Sequence, residues 1–444
     1  MLYHLTTYGC QMNAHEAEIL AGVLEDSGWT EASGEEAADL VVLLTCGVRD
    51  TAEQRALGKM GELKRWKLAR PGRLLAVGGC VPQQPGAVER LSAAFPHVDV
   101  VFGPPNLHRL PALLETALAT GQPVLEILDD SGPMPEYLPV RREGKVRAWV
   151  TIIHGCNHGC AYCIVPAVRG RERSRQPQAI LDELSGLAGE GFREAVLLGQ
   201  NVNNYGRDLP AEDRRVDFGY LLAQADQVEG LARIRFTTSH PANFRRSFLE
   251  VMAGAKRVCE HLHLPVQSGS DRVLRAMGRG YDRTQYLELL RQCREVLPGA
   301  GITTDLIVGF PGETEEDFED TLRLVEAARF DGAFTFLYSE RRGTRAAALP
   351  DKVPAAVREA RLARLNRLQN QVSLELSQAL VGSTREVLVE GPSDRNPARW
   401  AGRTRTNKLV TFPAGAARPG DLIQVKITLA RTWTLEGEPE GRKS

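Results

Sequence analysis

A chain of 444 residues, 43% hydrophobic and 25% charged, has the make-up of an ordinary globular protein with two or three domains. No run of eighteen apolar residues occurs, and the opening MLYHLTTYGC has neither the basic head nor the apolar core of a signal peptide, so the reading is a cytoplasmic protein with no membrane partner. The formal charge of −1 selects no partner, and eight cysteines in a reducing setting argue for metal ligands or reactive thiols over disulfides.

Residues 1–125 alternate strand-like runs (LTTY, DLVVLL, RLLAVGG) with helix-like ones (AHEAEILAGVLEDSG, TAEQRALGKMGELKRW), the pattern of an α/β domain with a parallel sheet. Residues 126–145, including the Pro- and acid-rich ILDDSGPMPEYLP, read as a linker. Over 146–375 six more strand candidates appear, AWVTII, EAVLLG, RIRFTT, HLHLPV, ITTDLIV and AFTFLY, most of them separated by helices. Six such units predict a full or partial (β/α) barrel. A long helix over 354–380 carries the apolar stripe Leu362, Leu365, Leu368, Val372 and Leu376, with its arginines assigned to solvent. From 376 to 440 short strands (TREVLVE, NKLVTF, DLIQVKITLA) predict a small all-β barrel. Charge is segregated: 381–444 holds eleven basic and seven acidic residues, 1–125 ten and fourteen.

Two sets of three cysteines carry the chemistry. GCNHGCAYC follows the first barrel strand and places Cys156, Cys160 and Cys163 at C-x3-C-x2-C spacing. Three thiolates can hold three irons of a 4Fe–4S cluster and leave the fourth without a protein ligand, as a reactive site requires. The alternative is a structural zinc site with His154 or His158 as fourth ligand, but zinc knuckles favour C-x2-C pairs. Cys10, Cys46 and Cys80 each end a predicted strand of the first domain, 36 and 34 residues apart. Parallel strands would bring all three to one sheet edge, where open α/β domains bind ligands. That predicts a second three-cysteine cluster, against the alternative of three separate buried thiols. Cys259 and Cys293 have no partners at ligand spacing and read as core.

These motifs resemble the radical S-adenosylmethionine (SAM) enzymes and, over nearly the whole chain, their methylthiotransferase branch. TYGCQMN, TCGVRDTAEQR, VGGCVPQQ, GCNHGCAYCIVPAVRGRERSR, LLGQNVNNYG, RIRFTTSHP, HLPVQSGS and TTDLIVGFPGETEEDF are similar to the tRNA-modifying MiaB type, with Ala167 where that type usually has tyrosine. The resemblance implies a Rossmann-like N-terminal domain, a radical SAM partial barrel and a C-terminal TRAM domain. It implies two 4Fe–4S clusters, SAM, and an electron donor such as a flavodoxin or ferredoxin. The implied substrate is the tRNA anticodon stem-loop, methylthiolated at C2 of N6-isopentenyl-adenosine. The alternatives are the same chemistry on a ribosomal protein or on threonylcarbamoyl-adenosine, and, outside enzymes, an Fe–S RNA-binding protein.

On that resemblance Gly199, Gln200 and Asn201, after the second barrel strand, contact SAM. Gln267 and Ser268 after the fourth strand, and Gly309, Gly312 and Glu313 after the fifth, face the same mouth. For Gly309 and Gly312 an ordinary strand-to-helix turn, closed by a Thr314–Asp317 capping box, is an equal and compatible reading. His240 reads equally as a loop histidine or a substrate contact. Arg169, Arg171, Arg173 and Arg175 either face RNA at the mouth or pair with Glu172 and solvent. Arg399, Trp400, Arg403, Arg405 and Lys408 interleave cations with an aromatic and read as an RNA contact in the β-domain.

Overall fold

The computed structural model describes residues 1–128, 132, 135–210 and 215–440; Asp129, Asp130, Ser131, Pro133 and Met134 of the predicted linker lie outside them. Strands β1 (Leu2–Thr7), β2 (Thr30–Glu31), β3 (Leu40–Thr45), β4 (Leu74–Gly79), β5 (Val100–Phe102) and β6 (Val124–Glu126) form one parallel sheet in the order β2-β1-β3-β4-β5-β6. β3 and β4 are buried at every position, as apolar runs in a sheet covered on both faces must be. Leu20 and Leu24 of α1 (Gln11–Asp26) pack on one face; Met60, Leu63 and Trp66 of α2 (Asp50–Leu68) and Leu91 of α3 (Ala87–Ala94) pack on the other. Leu110, Leu113 and Leu114 of α4 (Leu110–Thr120) join the α1 layer. The described part of the linker runs along α1. Arg141 N donates to Glu18 O at 3.0 Å, and a Cβ at Gly22 would fall 2.5 Å from Pro139 O.

The six barrel units follow. Strand β7 (Arg147–Thr151) leads to a short hairpin, β8 (Ile153–His154) with β9 (Arg173–Ser174), that brackets the cysteine loop and α5 (Val165–Arg169). Then come α6 (Pro177–Gly189), β10 (Glu194–Leu198), α7 (Phe218–Ala225), β11 (Arg233–Phe236) and α8 (Arg246–Gly254). The second half holds β12 (His261–His263), α9 (Asp271–Met277), α10 (Arg283–Val296), β13 (Gly301–Val308), α11 (Glu315–Ala328) and β14 (Gly332–Leu337). β11-β10-β7 and β12-β13-β14 form two parallel three-stranded sheets, joined by the bond from Ser239 N to His263 O (3.3 Å) and the bridge from Ile234 to Val258. This is an open, partial barrel. Its core lies between strands and outer helices and includes Cys293; Cys259 is likewise buried.

Helix α12 (Ala355–Gln378) lies against β14. Leu365 and Val372 are buried, as the stripe predicts, but so is Arg361, which pairs with Glu313 at 2.9 Å and thus does not face solvent. The C-terminal strands β15 (Thr384–Ser393), β16 (Asn396–Thr404), β17 (Leu409–Pro413), β18 (Leu422–Ala430) and β19 (Leu435–Pro439) close into a barrel around Val387, Val389, Val410, Phe412, Val425 and Ile427. β16 and β19 escape the sequence reading because NPARWAGRT and LEGEP hold few branched apolar residues; partner strands supply the burial. Among the described residues no helix is long and apolar enough to cross a membrane.

The β-barrel docks under the N-terminal ends of the (β/α) strands. Arg233 donates to Arg403 O (2.5 Å) and pairs with Glu386 (2.9 Å); Arg235 donates to Thr404 O and Arg405 O, both at 2.7 Å. Fully buried Glu194 balances Arg147 (2.5 Å) and Arg235 (2.7 Å). Catalytic mouths of such barrels lie at the opposite, C-terminal ends.

Candidate active site

The loop from Gly155 to Ile164 is held from several sides. Cys156 N donates to Gly170 O (3.1 Å), Ala161 N to Met277 O (2.8 Å) and Ala346 N to Ala161 O (2.8 Å), while Arg345 bonds Gly159 O. Gly155 has φ +73°, and a Cβ there would lie 2.0 Å from Arg171 O. Gly155→Ala is therefore expected to displace Cys156 and lower iron at this loop by more than half, with far-ultraviolet circular dichroism unchanged; full iron retention would contradict it. Burial pushes Cys156 up to about 11 and Cys163 up to about 12, so these thiols ionise only when positive charge arrives with the ligand they bind. Among the described residues no three His, Cys, Asp or Glu side chains converge to hold a single metal ion. His158 Nε2 is engaged by Asn243 at 2.8 Å and its ring stacks on His240 at 3.7 Å. The three-thiol set on a glycine-turned loop matches the donors of a cubane with one open iron, and the zinc alternative gains nothing from these contacts.

Cys46 and Cys80 stand immediately after β3 and β4, and Cys10 three residues past the end of β1, at the same edge of three adjacent parallel strands. The neighbouring Cys46 thiol holds Cys10 down, Arg169 adding to the effect, whereas Cys46 is pushed up by Cys10 and Cys80 by burial; the Cys10 thiol donates to Asn13 Oδ1 at 3.6 Å. Asn13 organises the set: its Nδ2 donates to Tyr8 O (3.1 Å) and Thr45 O (2.9 Å), tying the Cys10 and Cys46 loops together. Asn13 Oδ1 accepts from Arg169 (3.1 Å), which also pairs with buried Glu16 at 2.5 Å. Cys80 packs on Ile164 and Val168, and Cys10 and Met12 pack with Trp149, Val196 and Leu198 of the barrel. The N-terminal cysteine edge thus abuts the mouth that carries the second set. Neither Asn13 nor Glu16 was singled out by sequence, although both lie in the QMNAHEAE run beside Cys10.

The loops after the strands meet at the same mouth. Asn201 is buried; its Nδ2 donates to Glu172 Oε1 (3.3 Å) and its Oδ1 accepts from His240 N (3.2 Å). Asn204 and Asn157 also donate to Glu172, at 3.0 and 3.2 Å, so one buried carboxylate joins the cysteine loop to the β10 loop through amides. His240 is buried with neither ring nitrogen hydrogen-bonded, and desolvation holds it down to about 2, a neutral imidazole. At a Cβ on Gly199 the Ile153 side chain would be 2.4 Å away; Gln200 Oε1 is buried without a partner. Thr238 and Gln267 adopt φ of +68° and +76°, strain of the kind that gathers at functional loops. Ser268 turns away from the mouth toward Thr321 of α11. Gly309 N donates to Glu313 Oε1 (3.0 Å), Glu313 is committed to Arg361, and the Thr314–Asp317 capping box is present. Gly309, Gly312 and Glu313 therefore build the β13–α11 turn.

The arginine stretch after the cysteine loop is divided. Arg169 is buried against Glu16; Arg175 pairs with Glu136 and Glu183, both at 2.7 Å; Arg173 reaches Gly132 O; Arg171 is exposed. For Arg169 and Arg175 the expected RNA contact is replaced by an internal one, because Arg169 meets buried Glu16 and Arg175 meets half-buried Glu136 and Glu183. The same correction applies in the β-barrel. Arg405 binds Glu260 (2.7 Å), Val258 O and Lys256 O, Lys408 pairs with Asp331 (2.8 Å), and Arg403 contacts Glu390 and Asn407 O. Half-buried Arg399 and Trp400 lie further along β16.

Three family models match the chain: the radical SAM superfamily over residues 150–325, the uncharacterized protein family UPF0004 over 2–103, and the TRAM domain over 378–439. Curated relatives named tRNA-2-methylthio-N(6)-dimethylallyladenosine synthase match end to end. Those from Carboxydothermus hydrogenoformans and Desulforamulus reducens are 50% and 51% identical, over 98% of this chain and 98% and 95% of theirs. The one from Moorella thermoacetica is 49% identical over 98% of both chains. Among solved structures, the radical SAM methyltransferase TsrM from Kitasatospora setae superposes with a TM-score of 0.55 at 16% identity, over 78% of this chain and 74% of that one. The cobalamin-dependent enzyme OxsB does so with 0.53 at 12%, over 84% and 56%. At such identities these two speak for the fold alone.

Proposed function

Because this chain belongs to the family of tRNA-2-methylthio-N(6)-dimethylallyladenosine synthases, within the radical SAM superfamily, we propose that it adds a methylthio group to C2 of N6-isopentenyl-adenosine in tRNA and that its two three-cysteine edges are the reacting sites. Cys156, Cys160 and Cys163 hold the 4Fe–4S cluster that binds SAM, and Cys10, Cys46 and Cys80 hold an auxiliary one. When bound, these groups supply the methyl, the sulfur and the radical needed to replace an unactivated C–H bond that has no acidic proton for a base. The observation that carries the reading is the packing of one cysteine edge on the other's loop, through Cys80 with Ile164 and Val168.

The chain's own side chains position and enclose. Arg169 and Asn13 fix the Cys10 and Cys46 loops, and Met12 with Trp149 closes the interface. Gln200, with its free buried oxygen, and Asn201 offer polar groups to SAM; Gln267 presents a strained backbone beside them. His240 stays neutral at any working pH and serves as a hydrogen-bonding partner, not a cation. Exposed Arg171, with Arg399 and Trp400, provides cation and stacking contacts for the anticodon stem-loop. The test is nucleoside mass spectrometry of tRNA from a host lacking its own such enzyme. Expression of this chain should restore 2-methylthio-N6-isopentenyl-adenosine, and the Cys46→Ala variant should not; tRNA that stays unmethylthiolated with the unaltered chain expressed would overturn the substrate.

A further inference from the structure

Seven arginines of the described chain are buried, and six of them, Arg73, Arg169, Arg233, Arg235, Arg341 and Arg361, have a carboxylate within 3.9 Å. The seventh, Arg279, has none. It lies just past α9, on the loop leading to α10, and is 5% exposed. Its Nε donates to Tyr281 Oη (2.9 Å), one Nη to Pro265 O (2.7 Å), and the other Nη to Cys160 Sγ (3.3 Å) and Tyr162 Oη (3.4 Å). An isolated buried guanidinium is strongly disfavoured unless an anion meets it. Its neighbours are two phenols, a carbonyl and one thiol, and of these the thiol becomes an anion on ligating iron.

Resting on the assignment of Cys156, Cys160 and Cys163 as ligands of the SAM-binding cluster, we propose that Arg279 is that cluster's counter-cation and sets its reduction potential. When the cluster accepts one electron from a low-potential one-electron donor, its formal charge becomes one unit more negative; no bond forms or breaks and no proton moves. A fixed cation at a ligand sulfur favours the more negative state and so raises the midpoint potential. Tyr281 and Pro265 aim the fork, so a point charge in the same place replaces it only in part. The auxiliary set differs, since Glu16 already neutralises Arg169.

The test is an electron paramagnetic resonance redox titration of full-length chain in the Cys10→Ala/Cys46→Ala/Cys80→Ala background, so that one cluster is seen. Arg279→Gln and Arg279→Met, with full iron, should titrate at least 59 mV lower, the one-electron equivalent of a tenfold change, and Arg279→Lys by less. If the neutral variants hold no iron while Arg279→Lys does, the counter-charge is required for retention and the proposal stands. An unchanged midpoint with full iron overturns it, as does weakened SAM binding at an unchanged midpoint, which would assign the guanidinium to the SAM carboxylate. Loss of iron in all three variants, Lys included, also overturns it in favour of packing. Absence of iron from the Arg279-bearing parent would instead refute the ligand assignment itself.

Discussion

Chain reconstituted anaerobically should hold about eight irons and about eight acid-labile sulfides, and the Cys156→Ala/Cys160→Ala/Cys163→Ala variant about four of each. The two sets stand on independent supports, one on a loop inside the β8–β9 hairpin and the other on the ends of β1, β3 and β4, so losing one leaves the other's backbone intact. The variant should form no 5′-deoxyadenosine from SAM, a loss of turnover to background. The reciprocal Cys10→Ala/Cys46→Ala/Cys80→Ala variant should also keep about four irons, yet still cleave SAM while adding no methylthio group. Cys259→Ala with Cys293→Ala should keep all eight, since both thiols sit in closed packing. A fall from about four to none in the first variant would make the N-terminal cysteines ordinary thiols and the proposed reaction wrong.

The parts of this architecture visible in the sequence are those with a local signature. A strand that ends in cysteine announces both its direction and its edge, so LTTYGC, DLVVLLTC and RLLAVGGC together placed three thiols on one side of a sheet. The turn after β13 is legible through its capping box for the same reason. What the sequence hides is partnership at long range. RGRERSR reads as a cationic stripe, but Arg169 meets Glu16, 153 residues away, and Arg175 meets Glu136 and Glu183. RWAGRTRTNK reads as RNA-facing, but Arg405 meets Glu260 and the neighbouring carbonyls belong to a docking seam. Alternating charge marks a solvated face only where no complementary surface folds against it. Glu172, which the sequence offers as a partner for the arginines, instead gathers Asn157, Asn201 and Asn204, a role hidden because these come from two loops with no fixed spacing between them.

Arg169 gives the second large effect. Arg169 and Glu16 are both almost fully buried, so removing the guanidinium leaves a buried carboxylate with no counter-charge; breaking such a pair costs about 3–5 kcal/mol. The loss is not confined to stability. Arg169 also holds Asn13 Oδ1, and Asn13 fixes Tyr8 O and Thr45 O, the backbone entering Cys10 and Cys46. Arg169→Ala is therefore expected to lower the melting temperature and to cut iron at the N-terminal site by more than half, with the Cys156 loop keeping its own. Arg169→Ala/Glu16→Ala should recover most of the stability, because no buried charge is left unpaired, but not the N-terminal iron, because Asn13 remains unpinned. The same variants decide between the two uses of the arginine. If Arg169 contacted a tRNA phosphate, its loss would flatten the salt dependence of RNA binding by roughly 0.7 in log–log slope. The internal pairing requires that slope to stay unchanged, and a flattened slope in a variant of undiminished stability and iron content would return Arg169 to the RNA interface.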